Sequence, residues 1–79
     1  MEVYELDETI LDYLSKRNIV PQYKKAKEFL KNNHLLSVKF KKRQPKSLGG
    51  YYFRINQKYR AIGVFDGQDF IVTEISDHQ

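Results

Sequence analysis

The N-terminal half of the chain carries apolar residues at the spacing of α-helices. Ile10, Leu11 and Leu14 follow Asp7, whose side chain suits a helix N-cap, and they predict a first helix over about residues 8–17. A second apolar stripe lies beyond Pro21, which suits a first helical turn; its members are Tyr23, Ala26, Phe29 and Leu30. Lysines surround this stripe, so we predict an amphipathic second helix that ends at residues 32–33. Residues 3–6 fit either a short strand or the approach to the first helix.

The pattern changes to that of β-strands after Pro45. Residues 51–55 are rich in aromatic and β-branched side chains, which are typical of strands. Residues 59–65 and 70–75 are predicted to be the next two strands. Residues 56–58 form a short connection, and Asp66 with Gly67 is a strong hairpin signal. Residues 35–40 fit a connector or a short strand. Helices followed by strands predict one α+β domain over residues 1–79, with two N-terminal helices packed on a small twisted antiparallel sheet.

Composition narrows the chemistry. The 79 residues include no cysteine, which excludes a disulfide framework, a thiolate zinc site and a cysteine nucleophile. The two histidines, His34 and His78, lie far apart in sequence, so we expect no metal site and no cofactor. Apolar runs are only a few residues long and the N-terminus is acidic, unlike a secretory signal. We therefore expect no membrane contact and a cytoplasmic location.

The charge is unevenly distributed. All 14 Lys and Arg lie between Lys16 and Arg60, where Glu28 is the one acidic residue, so this stretch carries a net charge of +13. The other nine acidic residues lie at the two ends of the chain, and the formal net charge is +4. For the basic residues of the second helix, a solvated helix face is the ordinary alternative to a binding surface. The basic cluster at residues 39–46 is not helical in pattern and is a candidate footprint for phosphate backbones or an acidic protein.

Strand alternation groups the candidate chemical residues. Tyr52, Arg54 and Asn56 are predicted to share one face of their strand. In the last strand, alternation predicts a shared face for Phe70, Val72, Glu74, Ser76 and His78. Antiparallel pairing would bring Arg60 beside residues 74–78, and Arg54 would lie across the short connection from Arg60.

This set has the parts of metal-free RNA cleavage. A base takes the proton of the 2′-hydroxyl, cations stabilise the phosphorane, and an acid protonates the leaving 5′-oxygen. Arg60 and Arg54 suit the phosphate, His78 suits the acid, and Glu74 suits the base. The residues expected to bind RNA are Lys39, Lys41, Lys42, Arg43, Lys46, Tyr51 and Tyr52. The ordinary alternatives are cross-strand ion pairs for the arginines, a surface position for His78, and sheet packing for the tyrosines.

Residues 46–62 resemble the signature of bacterial RelE/ParE-type toxins. The resemblance lies in Leu48, Gly49, the aromatic run that ends in Arg54 and Ile55, and the following Tyr59 and Arg60. It implies a microbial-RNase-like α+β fold and, for the RNase members, cleavage of mRNA on the ribosome. It also implies that Arg60 stabilises the phosphate, that Arg54 assists, and that His78, as in the YoeB-like branch, is the closing acid. Lys39, Lys41 and Lys42 resemble the lysine-rich approach of the RelE branch.

We therefore predict a toxin that acts as a metal-independent RNA endonuclease on mRNA at the ribosome or on tRNA. Such a toxin inhibits translation, and we expect an acidic antitoxin or immunity protein to neutralise it. The general base stays open between Glu74, a lysine and a group of the substrate. The alternative is a non-nucleolytic ParE-like toxin or binding module that acts on DNA gyrase or another target.

Overall fold

The computed structural model describes residues 1–77, so His78, the predicted closing acid, lies outside the described residues. Two helices are present, α1 at Glu8–Lys16 and α2 at Val20–Lys31. The strands are β1 at Val3–Glu5, β2 at Lys41–Lys42, β3 at Tyr51–Arg54, β4 at Tyr59–Asp66 and β5 at Asp69–Asp77. Short 3-10 helices span Leu35–Val38 and Lys46–Leu48. Among residues 1–77, no helix combines the length and the apolar character that crossing a membrane requires.

Both predicted helices are confirmed. Asp7 caps α1, because its Oδ1 accepts a hydrogen bond from the Thr9 N–H at 2.9 Å, and the α1 side chains Ile10 and Leu14 are buried. Helix α2 has Pro21 in its first turn, where the missing N–H has no helical partner to lose. Its buried residues are Tyr23, Ala26 and Leu30. The apolar spacing therefore marked the buried faces of both helices.

The five strands form a mixed sheet in the order β1-β5-β4-β3-β2. The prediction of an antiparallel sheet is wrong for one pair, since β1 runs parallel to β5. The chain passes through both helices before it returns to the sheet, so β1 is not joined to β5 by a hairpin. The backbone holds β1 in place, as the Phe70 N–H donates to Glu2 C=O and the Leu6 N–H donates to Val72 C=O, each at 2.9 Å.

The helices cover one side of the sheet, which we call the inner face; the opposite side is the outer face. Phe53, Ala61, Phe70 and Val72 point to the inner face and are fully buried with the apolar sides of the helices. Burial of this apolar surface is the main force that holds the domain together. The side chains that alternate with the buried ones lie on the outer face.

Strand β5 contains an extra residue, which changes its alternation. Ile62 of β4 pairs with Glu74, but the next residue, Gly63, pairs with Val72, so Thr73 is left between them. Beyond such a β-bulge, the alternation of side chains between the two faces of the sheet is shifted by one residue. The prediction that Phe70, Val72, Glu74 and Ser76 share a face is therefore wrong: Glu74 and Ser76 lie on the outer face.

Residues 35–40 are a connector, as one of the two sequence interpretations had it. They contain the 3-10 helix Leu35–Val38, in which Val38 is buried, and then Lys39 with a left-handed backbone at φ 51°. The chain next enters β2, which pairs Lys41 with Tyr52 and Lys42 with Tyr51. The basic cluster therefore supplies the edge strand of the sheet.

Glu5 joins β1 to α2. Its carboxylate accepts hydrogen bonds from the Tyr23 hydroxyl at 2.6 Å and from Lys27 Nζ at 2.8 Å. Burial raises the pKa of Glu5, but the hydrogen bonds from Lys27 and Tyr23 outweigh it, so the pKa lies below its ordinary value. Burial and the neighbouring Glu5 raise the pKa of Tyr23.

Candidate nucleic-acid interface

A cleft of about 240 Å³ opens on the outer face. Its floor consists of strand residues, and one wall is the connection from β2 to β3. The residues that line it are Arg43, Gln44, Leu48, Tyr52, Arg60, Ile62 and Ser76. We call this cavity the outer cleft. It brings together three of the predicted site residues, namely Arg43, Tyr52 and Arg60.

The sheet pattern accounts for the floor of the outer cleft. Phe53 and Ala61 are fully buried on the inner face, so Tyr52, Arg60 and Ile62 point outward. Ser76 is the direct cross-strand partner of Arg60, and it reaches this face because of the bulge at Thr73. Three neighbouring strands thus contribute one side chain or more to the same cavity.

Arg60 is held against the ring of Tyr52. Its guanidinium carbon lies 4.8 Å from the ring centroid, within the range of a cation–π contact. The ion pairs found among residues 1–77 involve neither Arg43, Arg54 nor Arg60. The cross-strand ion pairs considered from the sequence are therefore absent from the described part of the chain, and the guanidinium is oriented by an aromatic ring.

Arg54 lies directly opposite Arg60. The Ile55 N–H donates to Tyr59 C=O at 2.9 Å, so the next pair, Arg54 and Arg60, is of the non-hydrogen-bonded kind. In such pairs the Cα atoms are about 4.5 Å apart and the side chains are closest. Two like charges in this arrangement repel each other. An anion bound between or beside them would relieve that repulsion.

Glu74 is exposed and lies opposite Ile62, two residues along the strands from the Arg60–Ser76 pair. The two side chains share the outer face, and diagonal neighbours of this kind have Cα atoms about 7–8 Å apart. Glu74 does not line the outer cleft itself. It therefore lies outside the outer cleft, on the same face of the sheet as Arg60.

The predicted RNA-binding residues divide between the two sides of the sheet. Lys41 pairs with Tyr52 on the outer face, whereas Lys42 pairs with Tyr51 and its Nζ lies 5.9 Å from that ring centroid. Lys39 and Lys46 are both exposed, outside the strands. Lys41 therefore lies on the outer face with Tyr52, and Lys42 lies beside Tyr51.

Tyr51 is part of an aromatic cluster on the inner side. Its ring stacks on Phe40 with centroids 5.5 Å apart and meets Phe65 edge-on at 5.1 Å. Tyr51 pairs with Gly63, a buried position, whereas Tyr52 pairs with Ile62 in the outer cleft. The two adjacent tyrosines therefore lie on opposite faces, as strand alternation requires.

Several lining residues of the outer cleft were not predicted as site residues. Ile62 follows from alternation with Arg60, so the signal for it was present in the sequence. Ser76 appears only once the bulge is known, and Gln44 and Leu48 belong to a connection whose path no periodicity indicates.

The described residues 1–77 contain no group of three His, Cys, Asp or Glu side chains arranged to hold a metal ion. Comparison of the sequence with protein-family models found no match, and comparison with curated proteins found none either. The resemblance to RelE/ParE-type toxins is therefore an interpretation of the sequence motif alone.

Proposed function

We propose that this protein is an RNA endonuclease of the bacterial toxin kind, and that the outer cleft holds the scissile phosphate through Arg60. The observation that carries the proposal is the arrangement of Arg60: oriented by Tyr52, lining a cleft with Arg43, and opposed by Arg54. A guanidinium can hold two phosphate oxygens at once, and here no carboxylate of residues 1–77 pairs with it.

The proposed reaction uses the RNA itself as the nucleophile. A base removes the proton of the 2′-hydroxyl, and its oxygen attacks the adjacent phosphorus while the bond to the 5′-oxygen breaks. The products are a 2′,3′-cyclic phosphate and a 5′-hydroxyl, which receives a proton from an acid. Arg60 stabilises the charge on the phosphorane. Glu74 is our candidate base, and His78, which lies outside the described residues, is our candidate acid.

The basic residues near the outer cleft suit the flanking phosphates. Lys41 shares the outer face with Tyr52, and Arg43 lines the cleft. Phosphate contacts of this kind supply affinity for RNA of any sequence. The same positive charge suits an acidic antitoxin or immunity protein, which would inhibit the enzyme by covering Arg60 and would stabilise the fold by binding it.

The test is cleavage of RNA by purified protein, alone and with translating ribosomes. We expect Arg60→Gln to reduce the rate by a factor of about 100 or more, since it removes a cation that stabilises the transition state. Arg17→Gln is the matched control. Arg17 also lies over a tyrosine, with its guanidinium carbon 3.4 Å from the Tyr13 ring centroid, but it follows the end of α1 and does not line the outer cleft.

Two results would contradict the proposal. One is a wild-type protein that leaves RNA intact both alone and on ribosomes. The other is cleavage by Arg60→Gln at the rate of wild type or of Arg17→Gln. Arg60 would then contribute no more to cleavage than a positive charge elsewhere on the protein.

The second candidate function is a non-nucleolytic toxin or binding module that acts on a protein such as DNA gyrase. An apolar strip on the outer face favours it: Tyr4, Ile71 and Val64 are cross-strand neighbours, and Tyr4 and Val64 are 49% and 45% exposed. Exposed apolar surface of this kind often marks a protein contact. Growth arrest with intact RNA and a DNA-damage response would favour this function.

A further inference from the structure

A second cleft, of about 270 Å³, lies where α2 and the 3-10 helix Leu35–Val38 approach the end of β3. Two cations, Lys25 and Arg54, and two amides, Gln22 and Asn56, line it together with the apolar side chains of Phe29 and Val38. We call it the inner cleft. The chemistry proposed for Arg60 does not use it, and the sequence motif does not include its α2 residues.

The polar groups of the inner cleft are mostly hydrogen-bond donors. The Asn56 carbonyl accepts from the backbone N–H groups of Lys58 and Tyr59, both at 2.8 Å, which fixes the amide. Its NH₂ group donates to the Gln22 carbonyl oxygen at 2.9 Å. The NH₂ group of Gln22 therefore remains as a donor beside the Lys25 ammonium and the Arg54 guanidinium.

The charge of the inner cleft is positive. None of the described residues that line it carries a carboxylate, and the ion pairs found within residues 1–77 involve neither Lys25 nor Arg54. A lining that combines donor groups with apolar side chains suits an anion that carries a flat, apolar group. A nucleotide has this composition, with its phosphate for the cations and its base for the side chain of Phe29.

The two clefts meet at the Arg54–Arg60 pair. Arg60 lines the outer cleft, Arg54 lines the inner cleft, and they are direct cross-strand partners. Strand β2 pairs only with Tyr51 and Tyr52, so it does not cover the edge of β3 beside Arg54. A strand of RNA that leaves the outer cleft thus has a short path to the inner cleft over this open edge.

We infer that the inner cleft binds the nucleotide next to the scissile phosphate, with Lys25 and Arg54 on its phosphate and Phe29 under its base. This inference rests on the proposed function, since it takes the RNA at Arg60 as its starting point. It adds a second phosphate subsite, and it assigns α2 a part in RNA binding.

The experiment measures binding of a fluorescent 2′-O-methyl tetranucleotide by anisotropy, as a function of salt, with the full chain. The methyl group blocks the nucleophile, so binding is observed without cleavage. We expect Lys25→Gln and Arg54→Gln each to weaken binding on the order of fivefold and to lower the salt slope by about 0.7. Lys24→Gln is the matched control, because Lys24 is exposed on α2 but does not line the inner cleft.

Each outcome has one meaning. The subsite is supported if Lys25→Gln weakens binding as expected, while Lys24→Gln changes the affinity by less than about twofold and leaves the salt slope unchanged. Equal effects of Lys24→Gln and Lys25→Gln overturn it and leave the proposed function intact if Arg60→Gln still weakens binding. A wild-type chain that does not bind the tetranucleotide overturns the subsite, and the cleavage assay with translating ribosomes then decides the proposed function separately. Binding of adenosine monophosphate that depends on Lys25, without such dependence for the tetranucleotide, would overturn the RNA subsite in favour of a free-nucleotide site.

Loss of folding is separable from loss of binding. Thermal unfolding by circular dichroism identifies a variant that does not fold. Lys25 is exposed on the surface of α2, so Lys25→Gln is expected to fold and to carry the test even if Arg54→Gln does not.

Discussion

At the scale of single residues, the proposed chemistry depends on how Arg60 is held. Within residues 1–77, two arginines lie over tyrosine rings, Arg60 over Tyr52 and Arg17 over Tyr13. Only the first lies among the lining residues of the outer cleft. Stacking leaves the N–H edge of a guanidinium available to phosphate oxygens while it restricts the rotation of the long side chain. In the proposed chemistry Tyr52 is therefore the positioning residue for Arg60, while the base-stacking role expected from the sequence stays a prediction.

This role predicts a graded effect of substitutions at Tyr52. Tyr52→Phe keeps the aromatic face and should retain the cleavage rate within about twofold, whereas Tyr52→Leu should lower it roughly threefold to tenfold, the value of a cation–π contact of about 1 kcal/mol. The measurement is the initial rate of RNA cleavage, and Tyr13→Leu is the control. Equal rates for Tyr52→Leu and Tyr52→Phe would contradict the role.

At the scale of elements, the bulge at Thr73 shapes the site. It turns Ser76 and Glu74 to the outer face, and it lies where two strands approach unusually closely. A Cβ atom on Gly63 would come within 2.1 Å of the Ile71 carbonyl oxygen. Glycine is therefore required at position 63 for reasons of space, and the geometry of the bulge depends on it.

We predict that Gly63→Ala lowers the free energy of unfolding by about 2–3 kcal/mol, because β4 and β5 must separate to admit the methyl group. Denaturant unfolding measures the change. Gly67→Asn is the control: Gly67 has a positive φ of 63° and open space around it. Asparagine tolerates such a backbone, so the cost there should stay below about 1 kcal/mol. A Gly63→Ala protein as stable as wild type would show that the strands are not so close.

The elements differ in how far the sequence alone predicts them. Helix α1 was predictable because Asp7 and the apolar spacing act locally, and the hairpin at Gly67 was predictable because its turn needs a positive φ. The parallel pairing of β1 was not, since three residues carry too little pattern to specify a neighbour distant in sequence. The bulge at Thr73 was not predictable either, because the sequence of residues 70–76 gives no sign that the regular alternation of a strand is interrupted there. The site was accordingly predictable at Arg60 and Tyr52, which precede the bulge, and not at Ser76.

At the scale of the whole molecule, the acidic ends and the basic middle meet at defined points. Glu5 of β1 binds Lys27 of α2 in a part-buried pair, and Glu2 lies 3.7 Å from Lys31 in an exposed one. These contacts tie the first strand to the second helix across the edge of the sheet. The cations of the two clefts take no part in them.

The Glu5 contact predicts how stability depends on pH. The pKa of Glu5 is lower in the folded chain than its ordinary value of 4.5, so the stabilisation is present above pH 4.5 and is lost as the pH falls below it. Glu5→Gln should cost about 1 kcal/mol at pH 7, and its difference from wild type should shrink at pH 3. Glu2→Gln, the exposed counterpart, should cost less than about 0.5 kcal/mol. Denaturant unfolding at both pH values is the measurement, and a Glu5→Gln difference that persists at pH 3 would contradict the assignment.

The central claim is that Arg60 holds the phosphate that is cut. Its most direct test is sequencing of the 5′ ends of cellular RNA after brief induction of wild type, Arg60→Gln and Arg17→Gln. Wild type and Arg17→Gln should produce the same new ends, each a 5′-hydroxyl, while Arg60→Gln should produce none and should not arrest growth. New ends in Arg60→Gln at the same positions and frequency, or growth arrest by wild type with unchanged RNA, would contradict the claim.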